Sequence, residues 1–208
     1  MKGNIFRSGS MSLCIGALAA VLTLSSCTGK EKLAREVKGT WSSAPEQIQN
    51  TGASQTTMVR VIDFAPAADS AEGTLTMTAL ITVDNVLPSS DKIDTPLTIT
   101  ASGAATVNGV YQAKDDDDII INLDYSTLQV SVDPQAVQLN YNILTDNDTS
   151  ALETLRPGAM QLATKQIEQC ARIVFANINE IEDIRIHNDL MSCEMGHKDL
   201  SFRRQMTR

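Results

Sequence analysis

The stretch "EGTLTMTALITV", residues 72–83, decides the fold of this chain. Leu75, Met77, Ala79, Ile81 and Val83 fall on one side of a two-residue repeat, and Thr74, Thr76, Thr78, Leu80 and Thr82 on the other. An alternation rich in threonine marks a half-buried antiparallel strand. Working outward, "TTMVRVIDF", "TPLTITASG", "AATVNGVYQ", "DIIINLDY", "STLQVSVDP" and "AVQLNYNIL" alternate less cleanly, separated by the turn segments "APAADSAEG", "LPSSDKIDTP", "KDDDD" and "DPQ". Many short strands at this spacing imply a mainly β chain, an antiparallel up-and-down barrel or near-barrel.

After Leu144 the repeat changes. Ser150 followed by Glu153 has capping-box spacing. Pro157 suits a first helical position, so the main helix is expected at about 157–178. Met160, Ala163, Ile167, Cys170 and Val174 recur at three- and four-residue spacings, an apolar stripe that lies on the barrel or plugs it. Strands return in "IEDIRIH", "DLMSCEM" and "LSFRRQ".

The N-terminus carries an address. Lys2 and Arg7 precede the apolar run of residues 11–24, which is too short for a spanning helix. It ends in Leu24-Ser25-Ser26-Cys27, which resembles a bacterial lipobox. That resemblance implies removal of residues 1–26 as a lipoprotein signal peptide and lipidation of Cys27. Anchoring by several acyl chains is durable, whereas one chain binds marginally. Residues 27–37 then read as the lipidated cysteine and a short charged tether with one or two helical turns. Residues 38–208 form a single domain. Lys30, Lys32, Arg35 and Lys38 are placed to rest on anionic headgroups. By resemblance to Gram-negative lipoproteins, Thr28 after the cysteine implies the outer membrane, and the basic "TGKEK" favours its periplasmic face over the cell surface.

Removing the signal leaves 15 basic against 25 acidic side chains, a charge of −10. That excludes a nucleic-acid partner bound through phosphate contacts. A single tryptophan, Trp41, disfavours a glycan-stacking face. No nucleophile elbow, zinc-protease helix or phosphate-cradling loop is present, so no catalytic residues are assigned and the chain is read as a non-enzyme. No cofactor is implied.

Lys38-Gly39-Thr40-Trp41 resembles the G-x-W opening of lipocalins and related calycins. The resemblance implies that Trp41 closes the barrel floor with an arginine of the last strand over its ring. Arg204, in phase with Leu200 and Phe202, is that arginine. Lipocalin-like lipoproteins of Gram-negative anaerobes are the nearest likeness. It implies a small apolar or amphipathic ligand in the barrel, lined by Met77, Ala79, Ile81, Leu97 and Ile99. The alternative is a filled core and an envelope protein partner. Inward faces rich in small residues, such as Ala101, Ala104 and Ala105, would leave room for a ligand, whereas the apolar stripe of the helix is able to fill that room.

Three clusters have plainer readings. Asp115–Asp118 lack the spacing of a calcium loop and read as a solvated turn. Met191, Cys193 and Met195 share a strand face near His197, but no second ligand cluster completes a metal site, and none is assigned. Cys170 and Cys193 form either a disulfide closing a loop of about 23 residues or two buried thiols.

Overall fold

The computed structural model describes residues 29–87, 97–141 and 146–206, and Cys27 lies outside them. Strand β4 (Glu72–Leu87) carries the alternation into space: Leu75, Met77, Ala79, Ile81 and Val83 are each at most 2% exposed, while Leu80 faces out. It pairs antiparallel with β3 (Ser54–Pro66) and β5 (Leu97–Ala113) along nearly its whole length. On the outer face hydroxyls and an amide bridge neighbouring strands, Thr76 to Asn108 at 3.1 Å, Thr78 to Thr106 at 3.0 Å and Thr82 to Ser102 at 2.9 Å. Threonine therefore serves twice, its branched stem suiting the pleat and its hydroxyl tying strands together.

The other strands are β1 (Gly39–Ser43), β2 (Glu46–Asn50), β6 (Ile119–Val132), β7 (Gln138–Tyr141), β8 (Glu180–His187), β9 (Leu190–Met195) and β10 (Asp199–Arg204). The order β1-β10-β9-β8-β6-β5-β4-β3 returns to β1, so the antiparallel sheet closes in a ring. Strand β2 continues along β3, and β7 lies beside the start of β5. Ring closure removes exposed strand edges. The thinnest joint is between β6 and β8, where only Ile119 with Ile181 and Ile120 with Glu180 are in register.

The main helix, α2 (Asp146–Ala176), differs from the expected span of 157–178 by starting well before Pro157 and ending at Ala176. Proline removes one helical hydrogen bond and crowds the preceding turn. That turn is secured by other means: Arg156 pairs with Glu153 at 3.1 Å and donates to the Val137 carbonyl at 2.7 Å. The local cues at Ser150 and Pro157 were thus overridden by a tertiary contact. The helix packs on β4, β5 and β6. Ala159, Ala163, Ile167, Ala171 and Phe175 are buried at four-residue spacing. A Cβ on Gly103 of β5 would come within 2.9 Å of Ile167 Cδ1 and 2.6 Å of the Ser131 carbonyl, so only glycine allows helix and sheet to approach this closely. Higher up, the amides of Asn85 and Gln166 exchange hydrogen bonds of 2.7 and 3.2 Å.

Residues expected to form a tether belong to the folded body. Gly29–Glu36 is a helix, α1, whose Leu33 and Ala34 are buried, as is Val37 just beyond it. The charged composition of "GKEKLARE" conceals this short apolar contact face.

Candidate functional site

Three regions bear on function: the closed floor, the interior and the outer face. At the floor, the pairing implied by the calycin resemblance is present. Trp41 is fully buried, opposite both Arg204 and Ile62 in the sheet, and the Arg204 guanidinium lies 4.2 Å from the centre of its ring. The same guanidinium donates to the carbonyl of Glu36 at 2.8 Å and to that of Lys38. Trp41 Nε1 donates to the Val37 carbonyl at 2.6 Å. Tyr111 reaches the Ala34 carbonyl at 3.5 Å, and its ring stands edge-on to Phe64 with centroids 5.2 Å apart. Burial raises the Tyr111 phenol to about 12. The carbonyls left free where α1 ends are therefore met by side chains of the ring, with a cation at the negative end of the helix.

The interior brings together the residues expected to line a ligand cavity. Met77, Ala79, Ile81, Leu97 and Ile99 are at most 3% exposed and form one core with the buried face of α2. Ile81 also borders a cleft that opens on the outer face beside Leu80, Thr82 and Ser102. Ala101 and Ala105 point inward, but Ala104 faces outward, and the room left by small side chains is where α2 sits.

Higher in the ring is a polar group that the sequence reading passed over. Arg60 occupies an inward position of β3 and is 7% exposed. Its Nη2 lies 2.7 Å from Glu46 Oε1, its Nη1 3.9 Å from Met195 Sδ, and its Nε is buried without a hydrogen-bond partner. Lys198 approaches the other Glu46 oxygen at 3.8 Å. Burial lowers the Arg60 pKa against the opposing pull of Glu46 and Cys193. The available signal was a lone arginine in the inward phase of "TTMVRVIDF". The arrangement links β2, β3 and the turn after β9 by charge and reaches β9 through the Met195 thioether, and a carboxylate already occupies the guanidinium.

Of the two alternatives for Cys170 and Cys193, the structure has free thiols, with Cys193 buried and Cys170 half-buried. Cys170 rides on α2, which packs on β4–β6, whereas Cys193 lies on β9, elsewhere in the ring. Burial raises both thiols, Cys193 to about 12. Met191 and Met195 are core residues with Cys193, while His197 is exposed in the turn and 3.7 Å from Glu194. This run forms no site that gathers sulfur and imidazole.

The acidic turn is more ordered than a bare solvated loop. Carboxylate oxygens of Asp115, Asp116 and Asp117 lie within 4.8 Å of one another. Asp115 Oδ1 accepts from the backbone of Asp117 at 3.3 Å and of Asp118 at 2.8 Å. Burial acts to raise Asp115, but these bonds outweigh it and hold the group below its ordinary value. Asp117 is raised by burial and by its acidic neighbours. Asp118 accepts from the Asp183 backbone at 3.1 Å, and Lys114 binds Glu180 at 2.7 Å. The turn thereby spends part of its charge clasping the start of β8.

On the outer face a cleft of about 540 Å³ runs beside Glu72, Thr74, Val110, Gln112, Ile120 and Asn122. Val110 is 53% and Ile120 45% exposed, so this is an open surface mixing apolar and amide groups. No helix among the described residues is long and apolar enough to cross a membrane. No family model, curated protein or solved structure matches this chain.

Proposed function

We propose that this chain is a lipid-anchored envelope protein, attached through Cys27 to the outer membrane on its periplasmic face, that acts without catalysis by binding a protein partner. The observation that carries this reading is the packing of α2 on the sheet: its buried face and the five candidate ligand residues belong to one core, on the side where a ligand of a lipocalin-like barrel would lie. Interaction then falls to the outside, where exposed Leu80, Val110 and Ile120 interrupt a hydroxyl- and amide-rich face. A small apolar ligand in the ring is the rival, and it requires α2 to vacate its place.

One experiment separates the two. The protein is purified from its own host with a photo-crosslinker at Val110, delipidated, and weighed by native mass spectrometry. The expected result is an apo mass with a discrete protein adduct from the outer face. A reproducible small-molecule adduct on the uncrosslinked domain would overturn the reading in favour of the ligand. Attachment is tested separately by labelled palmitate, which is expected on the native chain and absent from Cys27→Ala.

A further inference from the structure

We infer that the pole of the ring carrying α1 and the Lys114–Asp118 turn lies against the bilayer, so that the anchor fixes the orientation of the domain. The inference rests on Cys27 being the attachment point, and it adds which surface meets the lipid. A flexible leash would leave the orientation free. Here Leu33, Ala34 and Val37 are buried, and Arg204, Trp41 and Tyr111 hold the carbonyls at the end of α1. The other end of α1 is equally close to the ring: a Cβ on Gly29 would stand 2.7 Å from Asp116 Cβ. Only Thr28 lies between Cys27 and Gly29, so two residue steps, at most about 7 Å of chain, connect them. The acyl chains must therefore enter the membrane beside the acidic turn.

The direction of the body follows. Strand β4 starts at this pole with Glu72 and runs to Val86 at the far end. At about 3.3 Å per residue that is roughly 46 Å along the strand. A barrel tilt of 35–45° leaves about 35 Å of height. Val86 and the neighbouring Ala53, whose carbonyl accepts from the Val86 backbone at 2.8 Å, are then held well away from the lipid. Exposed Lys30, Lys32 and Lys38 face the headgroups with the carboxylates of Asp115–Asp117 beside them.

Energy transfer from tryptophan to a dansyl-headgroup lipid tests this, because Trp41 is the one tryptophan and sits at the floor. The lipidated protein purified from its host is placed in phosphatidylcholine vesicles containing the acceptor. Transfer from Trp41 is expected to exceed, several-fold, transfer from a variant with Trp41→Phe and Val86→Trp. Equal or greater transfer from the far end would overturn the inference. A ten-residue Gly/Ser insertion between residues 28 and 29 leaves the core untouched and lengthens the connection by a coil of about 18 Å. It is expected to lower Trp41 transfer at least twofold, and unchanged transfer would also overturn the inference. Should the relocated tryptophan unfold the ring, the insertion alone decides.

A parallel sample keeps the two readings apart. The chain from Cys27 onward, with Cys170→Ala, is coupled through Cys27 to a maleimide phospholipid, while buried Cys193 stays unreactive. Orientation by α1 is expected there too, whether or not the host lipidates the cysteine. A failed attachment reading appears as missing palmitate, and a failed orientation reading as equal transfer from the two poles.

Discussion

Removing Arg204 should loosen the floor of the ring by an amount the geometry sets. The guanidinium lies 4.2 Å from the centre of a fully buried indole, a cation–π contact worth about 0.5–2 kcal/mol. It also donates to the carbonyls of Glu36 and Lys38. Charge-assisted bonds are worth about 1.5–3 kcal/mol when dry, and these are solvent-accessible, so together they add about 1–2 kcal/mol. Arg204→Ala is therefore expected to cost about 1.5–4 kcal/mol. For a chain of this size that lowers Tm by roughly 3–16 °C. Arg204→Lys keeps a cation at the ring but cannot fork to two carbonyls, and should cost about half as much. Urea denaturation followed by Trp41 fluorescence measures both, and hydrogen exchange should show the amides of α1 opening in Arg204→Ala. If both variants stay within about 0.5 kcal/mol of the parent, the range of a neutral surface change, the floor is not held in this way.

Other perturbations test the interior. Glu46→Gln leaves buried Arg60 without its carboxylate and should cost about 3 kcal/mol, whereas Glu46→Gln with Arg60→Met should recover most of it in the same urea assay. A double variant as unstable as the single one would refute the role assigned to the pair. Gly103→Val drives its side chain into Ser131 and Ile167 and should cost about 1–3 kcal/mol; unchanged stability would mean that α2 is not packed where described. The alkaline limit follows from two buried acids. Cys193 rises from 9.0 to about 12 and Tyr111 from 10.0 to about 12, so the folded state keeps protons that the unfolded chain gives up. Their stability contribution is full below pH 9 and is lost progressively as pH climbs towards 12. Thermal melts from pH 8 to 11 should show Tm falling above pH 9, and a flat profile would contradict the burial of both groups.

The sheet was legible because its signal is periodic and repeated. Residues 72–83 alternate over the width of β4, and the Trp41–Arg204 pair follows from one short motif and the phase of the last strand. The closed ring itself depends on β1 meeting β3 and β10 together, which no local pattern encodes. The start of α2 was misjudged because proline is a strong local signal, and its cost is offset by Arg156 reaching Val137 in a distant part of the sequence. The helical turns of α1 were legible, but not their packing on the ring, because the buried face is only Leu33, Ala34 and the following Val37 amid charge. Arg60 was hidden for the opposite reason: one charged residue does not break the alternation of an apolar strand. The apolar stripe of α2 was legible, but how closely it sits on the sheet turns on the approach of Gly103 and Ile167, a tertiary fact that no local pattern encodes.

The joining of β1 to β10 also governs when the protein can mature. Arg204 bonds Lys38 across 166 residues, so the first strand waits for nearly the whole chain before gaining that neighbour. Contacts of such separation form slowly, since the intervening loop must first be ordered. The growing chain spends that interval with β1 unpaired on one side and sticky to other chains. Slow closure thus creates a window in which a chaperone, or a protease, has its best opportunity to act.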